Sequence, residues 1–170
     1  MKTIIIMCFS IILLISCSSI HDKTKCNSKM EETHMEQLEQ NKETALNLSR
    51  SIMKGNWDQV DNLISDDFTY EADGRPAIGK DAYIGFMKNV LSNAFTNMDM
   101  DFLRVIGEGN LVSVDYTNKM THVGEFYGIP ATQKRIISTG QFIREVKDGK
   151  VIAEWQTTNT AGMMQQLTGK

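Results

Sequence analysis

An imidazole at position 122 and an amide at position 159 each stand at the polar end of an alternating apolar stretch. In "LVSVDYTNKMTHVGEF", Val112, Val114, Tyr116, Met120 and Phe126 share one parity, and Asn118 and His122 fall on it too. In "KVIAEWQTTNT", Val151, Ala153 and Trp155 share a parity that Thr157 and Asn159 continue. Side chains of one parity share one face of a strand. Each strand then puts apolar groups at one end of its inner face and polar groups at the other. A buried polar group costs roughly 1–3 kcal/mol unless it is hydrogen-bonded. Several gathered at one end describe the mouth of a pocket. The alternative is a satisfied structural network, with His122 bonded to Asn159 or either bonded to a backbone carbonyl. In a pocket, His122 has acid–base chemistry, because an imidazole changes charge near neutral pH. Asn159 polarises a carbonyl but carries no proton. Tyr116 adds a second donor, and Asn118, Trp155 and Thr157 complete the lining, with Trp155 in the core.

These residues need strands to align them and helices to cover them. Leu38, Ala45, Leu48 and Ile52 fall on one helical face, and "KGNWD" ends that helix at Gly55. A short helix is expected over 58–64, then an extended piece with a turn at Asp73-Gly74. Asp81 opens a further helix with the stripe Ile84, Met87, Leu91, Phe95. Four period-two stretches follow, "MDFLRVI", "LVSVDYTNKMTHVGEF", "RIISTGQFIREV" and "KVIAEW". "GEGN" and "KDGK" mark tight turns, and "TAGMMQQL" closes the chain as a helix. Helices first and antiparallel strands after argue an α+β fold, with about three helices covering one face of a curved sheet.

The front end is separate. Lys2 precedes "IIIMCFSIILLI", a positive start and an apolar run too short to span a bilayer comfortably. "LISC", Leu14 to Cys17, then resembles the bacterial lipobox, which implies cleavage before Cys17 and lipid on its thiol. A plain secretory signal is the alternative. Residues 1–16 are thus expected as a lipoprotein signal peptide, 17–35 as Cys17 and a flexible tether, and 36–170 as the folded domain. The location implied is the bacterial cell envelope, exported and held to a membrane by lipid. Removal of Lys2 would deepen the formal charge of −3 by one. Of three cysteines, Cys26 alone would stay a free thiol, so no disulfide framework forms. Cys26 and His21 on the tether make no metal site. The acidic balance and the lack of a basic tract exclude nucleic acid.

Several features together resemble the SnoaL-like polyketide cyclases, also called ester cyclases, of the nuclear transport factor 2-like superfold. They are "TH-x-GEF-x-GIP-x-T" at 121–132, the "DGK" turn at 148–150, Trp155 and the closing "QQL". The resemblance is strong in the last half and by pattern in the first. It implies a cone-shaped curved sheet packed against helices around a pocket, and cofactor-free intramolecular aldol closure. It also implies a buried aspartate as acid and base, four residues after the tryptophan. Here that position is Asn159. Gln133 and Ala153 replace the glycine and glutamate usual in the family. General acid–base catalysis is commonly worth about 10²–10⁴ in rate, so an amide there separates binding from turnover. Three functions stay open: a cyclase or isomerase with His122 as the acid–base group, a lipid-anchored binder of a small apolar carbonyl compound, and a protein-interaction module. A homo-oligomer is also left open.

Overall fold

The structure is a computed structural model and describes residues 16–169. The expected signal segment lies, but for Ser16, outside the described residues, and so does the side chain of Cys17. Helix α1 runs Ser16–Lys54. The compact unit that carries the fold is Leu38–Lys170. The stretch expected as a tether is helical, and its residues 29–37 are exposed. Lys, Glu, Gln and Met are good helix formers and need no apolar stripe to adopt that conformation.

Within the compact unit, Ala45, Leu48 and Ile52 are buried at helical spacing. Gly55, with φ +67°, ends α1, as a left-handed residue does at a helix terminus. Helix α2 (Trp57–Leu63) starts on Asn56, whose side chain accepts from the Gln59 N–H. Strand β1 (Ile64–Ala72) turns through Asp73 and Gly74, both at positive φ, into β2 (Ile78–Gly79). Helix α3 (Lys80–Phe86) buries Tyr83. A π-helical turn, Met87–Leu91, and α4 (Ser92–Ala94) continue it. The helical run ends at Ala94, and Phe95, with extended backbone (φ −131°, ψ 145°), opens β3 instead of ending the helical stripe.

Strands β3 (Phe95–Glu108), β4 (Leu111–His122), β5 (Arg135–Lys147) and β6 (Lys150–Thr158) follow as hairpins, with the long 123–134 loop between β4 and β5. Helix α5 (Thr160–Thr168) closes the chain. The six strands among the described residues form one curved, open sheet in the order β2-β1-β6-β5-β4-β3. This is the expected α+β architecture. Pairing is antiparallel except between β1 and β6, which run parallel. An early strand has reached across to pair with the last.

One irregularity decides the site. Val146 pairs with Val151, but Glu145 pairs with Ala153, so Ile152 is an extra residue in β6. Such a bulge reverses the parity of everything after it. Trp155 therefore pairs with Ile143 on the outer sheet face and is 39% exposed. The expectation of a core Trp155, with Thr157 on the same inner face, is corrected here: both point outward. Glu154, Gln156 and Thr158 take the inner face instead. The apolar core lies between that face and the helices, built from Phe68, Tyr83, Val112, Val114 and Phe142 with the buried stripe of α1. A second cluster, Phe95, Met120, Phe126, Ile136, Met163 and Leu167, seals the end beneath α5.

Candidate functional site

Between the two clusters the inner face borders a cavity of about 600 Å³. Its apolar wall is rich in methionine: Met53, Met87, Met98, Met100, Met120 and Met163. Methionine adapts its shape to a guest, which suits an irregular apolar ligand. The polar groups come from registered positions on neighbouring strands. Tyr116 lies opposite Gly140, Gly140 opposite Thr158, and Phe142 opposite Gln156. Gly140 is required by close approach: a Cβ there would stand 2.6 Å from the Tyr116 hydroxyl and closer still to the Thr157 carbonyl. The glycine is the space that the tyrosine ring occupies.

A directed chain of hydrogen bonds runs along this face. Tyr70 donates its hydroxyl to Oε1 of Gln156 at 2.8 Å. That bond turns the Gln156 amide so that Nε2 donates to the Tyr116 oxygen at 2.7 Å. Nε2 also reaches Oγ1 of Thr158 at 3.3 Å. With its oxygen accepting, Tyr116 keeps its own proton to give. Its other neighbour, Thr158 Oγ1, lies 3.3 Å away, long for an O–H···O bond. Burial raises the Tyr116 pKa, against the hydrogen bonds from Thr158 and Gln156, so the hydroxyl stays protonated and serves as a donor. One strand pair along, Asn118 lies opposite Ser138, and both are buried and line the cavity. The Asn118 amide nitrogen meets only the Met53 sulfur, at 3.6 Å, and its oxygen has no partner.

At the cavity floor Arg144 and Glu154 face each other across β5 and β6. Arg144 Nε donates to Glu154 Oε2 at 2.7 Å, and Tyr83 donates to the same oxygen at 3.3 Å. The guanidinium also donates to the Ala45 carbonyl and to Ser49, and stacks over the Phe142 ring. Burial works against the Arg144 charge, but Glu154 holds its pKa above the ordinary value. Burial, and then the Glu154 charge, push the Tyr83 pKa well up. The pair is thus a closed structural network that joins α1, α3 and the sheet.

Of the residues expected at the site, Tyr116, Asn118 and Asn159 line the cavity. Trp155 and Thr157 do not, for the bulge reason given above. Asn159 does not continue the strand. It is the N-cap of α5, where its Oδ1 accepts from the Gly162 N–H at 3.0 Å. His122 is fully buried but is not among the cavity residues. Its Nδ1 accepts from the Thr132 N–H at 3.2 Å and meets the Thr132 hydroxyl at 3.0 Å. A backbone N–H only donates, so Nδ1 is bare and the proton sits on Nε2. Backbone bonds add to the clasp, from His122 N–H to the Lys134 carbonyl and from Gln133 N–H to the His122 carbonyl. The expectation that His122 and Asn159 share a cavity is corrected: His122 pins the 123–134 loop and stacks on Phe95, with ring centroids 5.3 Å apart. This is what the His and Thr of the "TH…GIP-x-T" stretch do here.

The sequence reading missed Tyr70, Asp73, Tyr83, Arg144, Glu154 and Gln156, all of which line the cavity. For Arg144 a signal existed. It stands on the inner parity of β5 with Ile136, Ser138, Phe142 and Val146, and a charge on an apolar face calls for a partner. Among the described residues no group of three or more His, Cys, Asp or Glu side chains is arranged to hold a metal.

Residues 42–167 match the family described as SnoaL-like polyketide cyclase. No curated protein matches the chain in sequence. Solved structures share the fold. A protein from Jannaschia sp. CCS1, described as a SnoaL-like polyketide cyclase, superposes with a TM-score of 0.72 at 23% identity, over 78% of this chain and 94% of that one. IdmH from Streptomyces antibioticus, described as a polyketide cyclase, gives 0.68 at 21% identity, over 75% and 97%. An LEH-like epoxide hydrolase of M. tuberculosis gives 0.63 at 16% identity, over 77% and 91%. That protein's different chemistry is a reminder that fold does not fix function. With residues 42–167, about three quarters of its length, matched, the chain belongs to the SnoaL-like polyketide cyclase family.

Proposed function

We propose that this protein is a lipid-anchored, exported receptor for a small apolar carbonyl compound, which it takes into the cavity and polarises through Tyr116. The observation that carries this reading is the Tyr70–Gln156–Tyr116 chain at the cavity wall, in which the Tyr116 oxygen accepts from Gln156 and its hydroxyl has no other polar neighbour nearer than Thr158 Oγ1 at 3.3 Å. A carbonyl is the acceptor such a donor matches. The methionine-rich wall suits the apolar remainder of the ligand. Ring closure of the family's aldol type, with no cofactor, is the turnover that this binding would serve. Binding without turnover is the second reading. It is favoured by Asn159, an amide whose oxygen is engaged by the α5 cap. "LISC" at 14–17 supports the anchor.

The test is titration of the full chain with 2-tetralone, a small bicyclic ketone. Saturable binding with a rise in melting temperature is expected, since a ligand that binds only the folded state stabilises it. No binding by this or other bicyclic ketones would overturn the reading. For the anchor, fatty-acid labelling is expected in the wild type and absent in Cys17→Ala. An unlabelled, freely soluble wild type would remove it.

A further inference from the structure

We infer that Asp73 is the proton carrier of this cavity, in place of the carboxyl group that position 159 lacks. The inference rests on the carbonyl-binding reading above and extends it to turnover. A base here needs to line the cavity, to keep an oxygen free, and to reach solvent. Four groups compete. Asn159 carries no proton. His122 is not a cavity residue. Glu154 lies at the closed floor, with Arg144 and Tyr83 both on Oε2. Asp73 lines the cavity at the β1–β2 turn. Its Oδ1 accepts from the Thr158 backbone N–H at 3.1 Å, which leaves Oδ2 free of hydrogen bonds to the protein's backbone. Arg75 Nη2 stands 3.8 Å from Oδ2, and the Asp73 side chain is 30% exposed.

The placement relative to Tyr116 gives the chemistry. Thr158 sits between them, its N–H on Asp73 and its hydroxyl 3.3 Å from the Tyr116 oxygen. Thr158 also directly precedes Asn159. In this proposal a carbonyl held by Tyr116 turns its α-carbon toward the Asp73 carboxylate, which Thr158 links to the tyrosine. Asp73 takes the α-proton: the C–H bond breaks, an O–H bond forms on the carboxylate, the C–H pair becomes the C=C bond of the enolate, and the C=O π pair moves onto the carbonyl oxygen. The resulting enolate oxygen is held by the Tyr116 proton. The protonated carboxyl exchanges with water at the mouth or returns its proton to carbon. No oxidant or metal enters the balance.

The backbone holds the carboxylate in place. Asp73 has φ +50° and its N–H donates to the Gln156 carbonyl. Asparagine tolerates that conformation as well as aspartate does and keeps an oxygen for Thr158. Asp73→Asn thus removes the base while preserving the turn.

The experiment is α-hydrogen exchange of 2-tetralone in D2O, followed by NMR with the full chain, alongside tetralone binding measured by titration. The wild type is expected to exchange faster than buffer, and Asp73→Asn to lose about 10²–10⁴ of that acceleration with binding retained. An Asp73→Asn protein that exchanges at the wild-type rate would overturn the inference. So would a wild type that binds 2-tetralone yet exchanges no faster than buffer. In both cases the binding reading survives. A wild type that fails to bind at all removes both.

Discussion

The Tyr70 hydroxyl donates to Oε1 of Gln156 at 2.8 Å, and this one bond decides what Tyr116 can do. A glutamine amide has a donor end and an acceptor end. With its oxygen claimed by Tyr70, its nitrogen faces Tyr116 at 2.7 Å. Burial raises the Tyr70 pKa first, and the Glu154 charge adds to it, so the donor at the head of the chain stays protonated. The polarity of the site thus starts on β1, crosses β6 and ends on β4.

Gly140→Ala is expected to break this chain from its far side. The new Cβ would meet the Tyr116 hydroxyl at 2.6 Å and also the Thr157 backbone. Overpacking of this kind typically costs about 1–3 kcal/mol. Urea unfolding should show that loss, and ketone binding should fall with it as the ring is displaced. Unchanged stability and binding would mean that Tyr116 has room elsewhere.

Glu154→Leu is expected to destabilise the fold strongly. Both Glu154 and Arg144 are about 2% exposed, and removing one partner of a buried pair typically costs about 3–5 kcal/mol. Glu154→Gln keeps hydrogen-bonding oxygen and nitrogen there and should cost less. Chemical denaturation compares the two. Equal losses would show that the charge is not what matters.

His122 makes stability depend on pH. Burial lowers its pKa below 6.5, with the backbone of Gly124 opposing. The folded state then favours the neutral ring, and the unfolded chain binds the proton first as pH falls. The contribution is complete above about 6.5 and is lost as pH drops below it. His122→Asn, which keeps an acceptor for Thr132, should show a flatter stability profile between pH 7.5 and 5.5. A profile as steep as the wild type would locate the effect elsewhere.

The sheet was legible in the sequence because alternation is a local property. The parity of Val112 to His122 holds without a break, and all its inner residues are buried. β6 was misread for an equally local reason. A single extra residue, Ile152, carries no mark in composition, and it moves Trp155 and Thr157 outward and Glu154 and Gln156 inward. The site was legible where the ladder is regular, at Tyr116 and Asn118 on β4. Asn159 shares the parity of the outward Trp155 and Thr157 and reaches the cavity only because β6 ends at Thr158 and Asn159 caps α5. His122 lay on the right face, but its direction is set by Thr132, ten residues on, across a loop that periodicity does not describe. Asp73 was recognised as a turn residue. Its place beside Thr158 comes from the parallel β1–β6 pairing, a contact between distant parts of the chain.

The claim that Tyr116 donates to a ligand carbonyl is tested most directly by one comparison. The affinities of wild type and Tyr116→Phe are measured by titration calorimetry for 2-tetralone and for tetralin, the same skeleton without the carbonyl. A neutral hydrogen bond contributes about 0.5–1.5 kcal/mol, so the variant should bind the ketone roughly 2- to 12-fold more weakly and tetralin as the wild type does. Equal weakening for both ligands would show that Tyr116 acts by packing. No change for either would contradict the account.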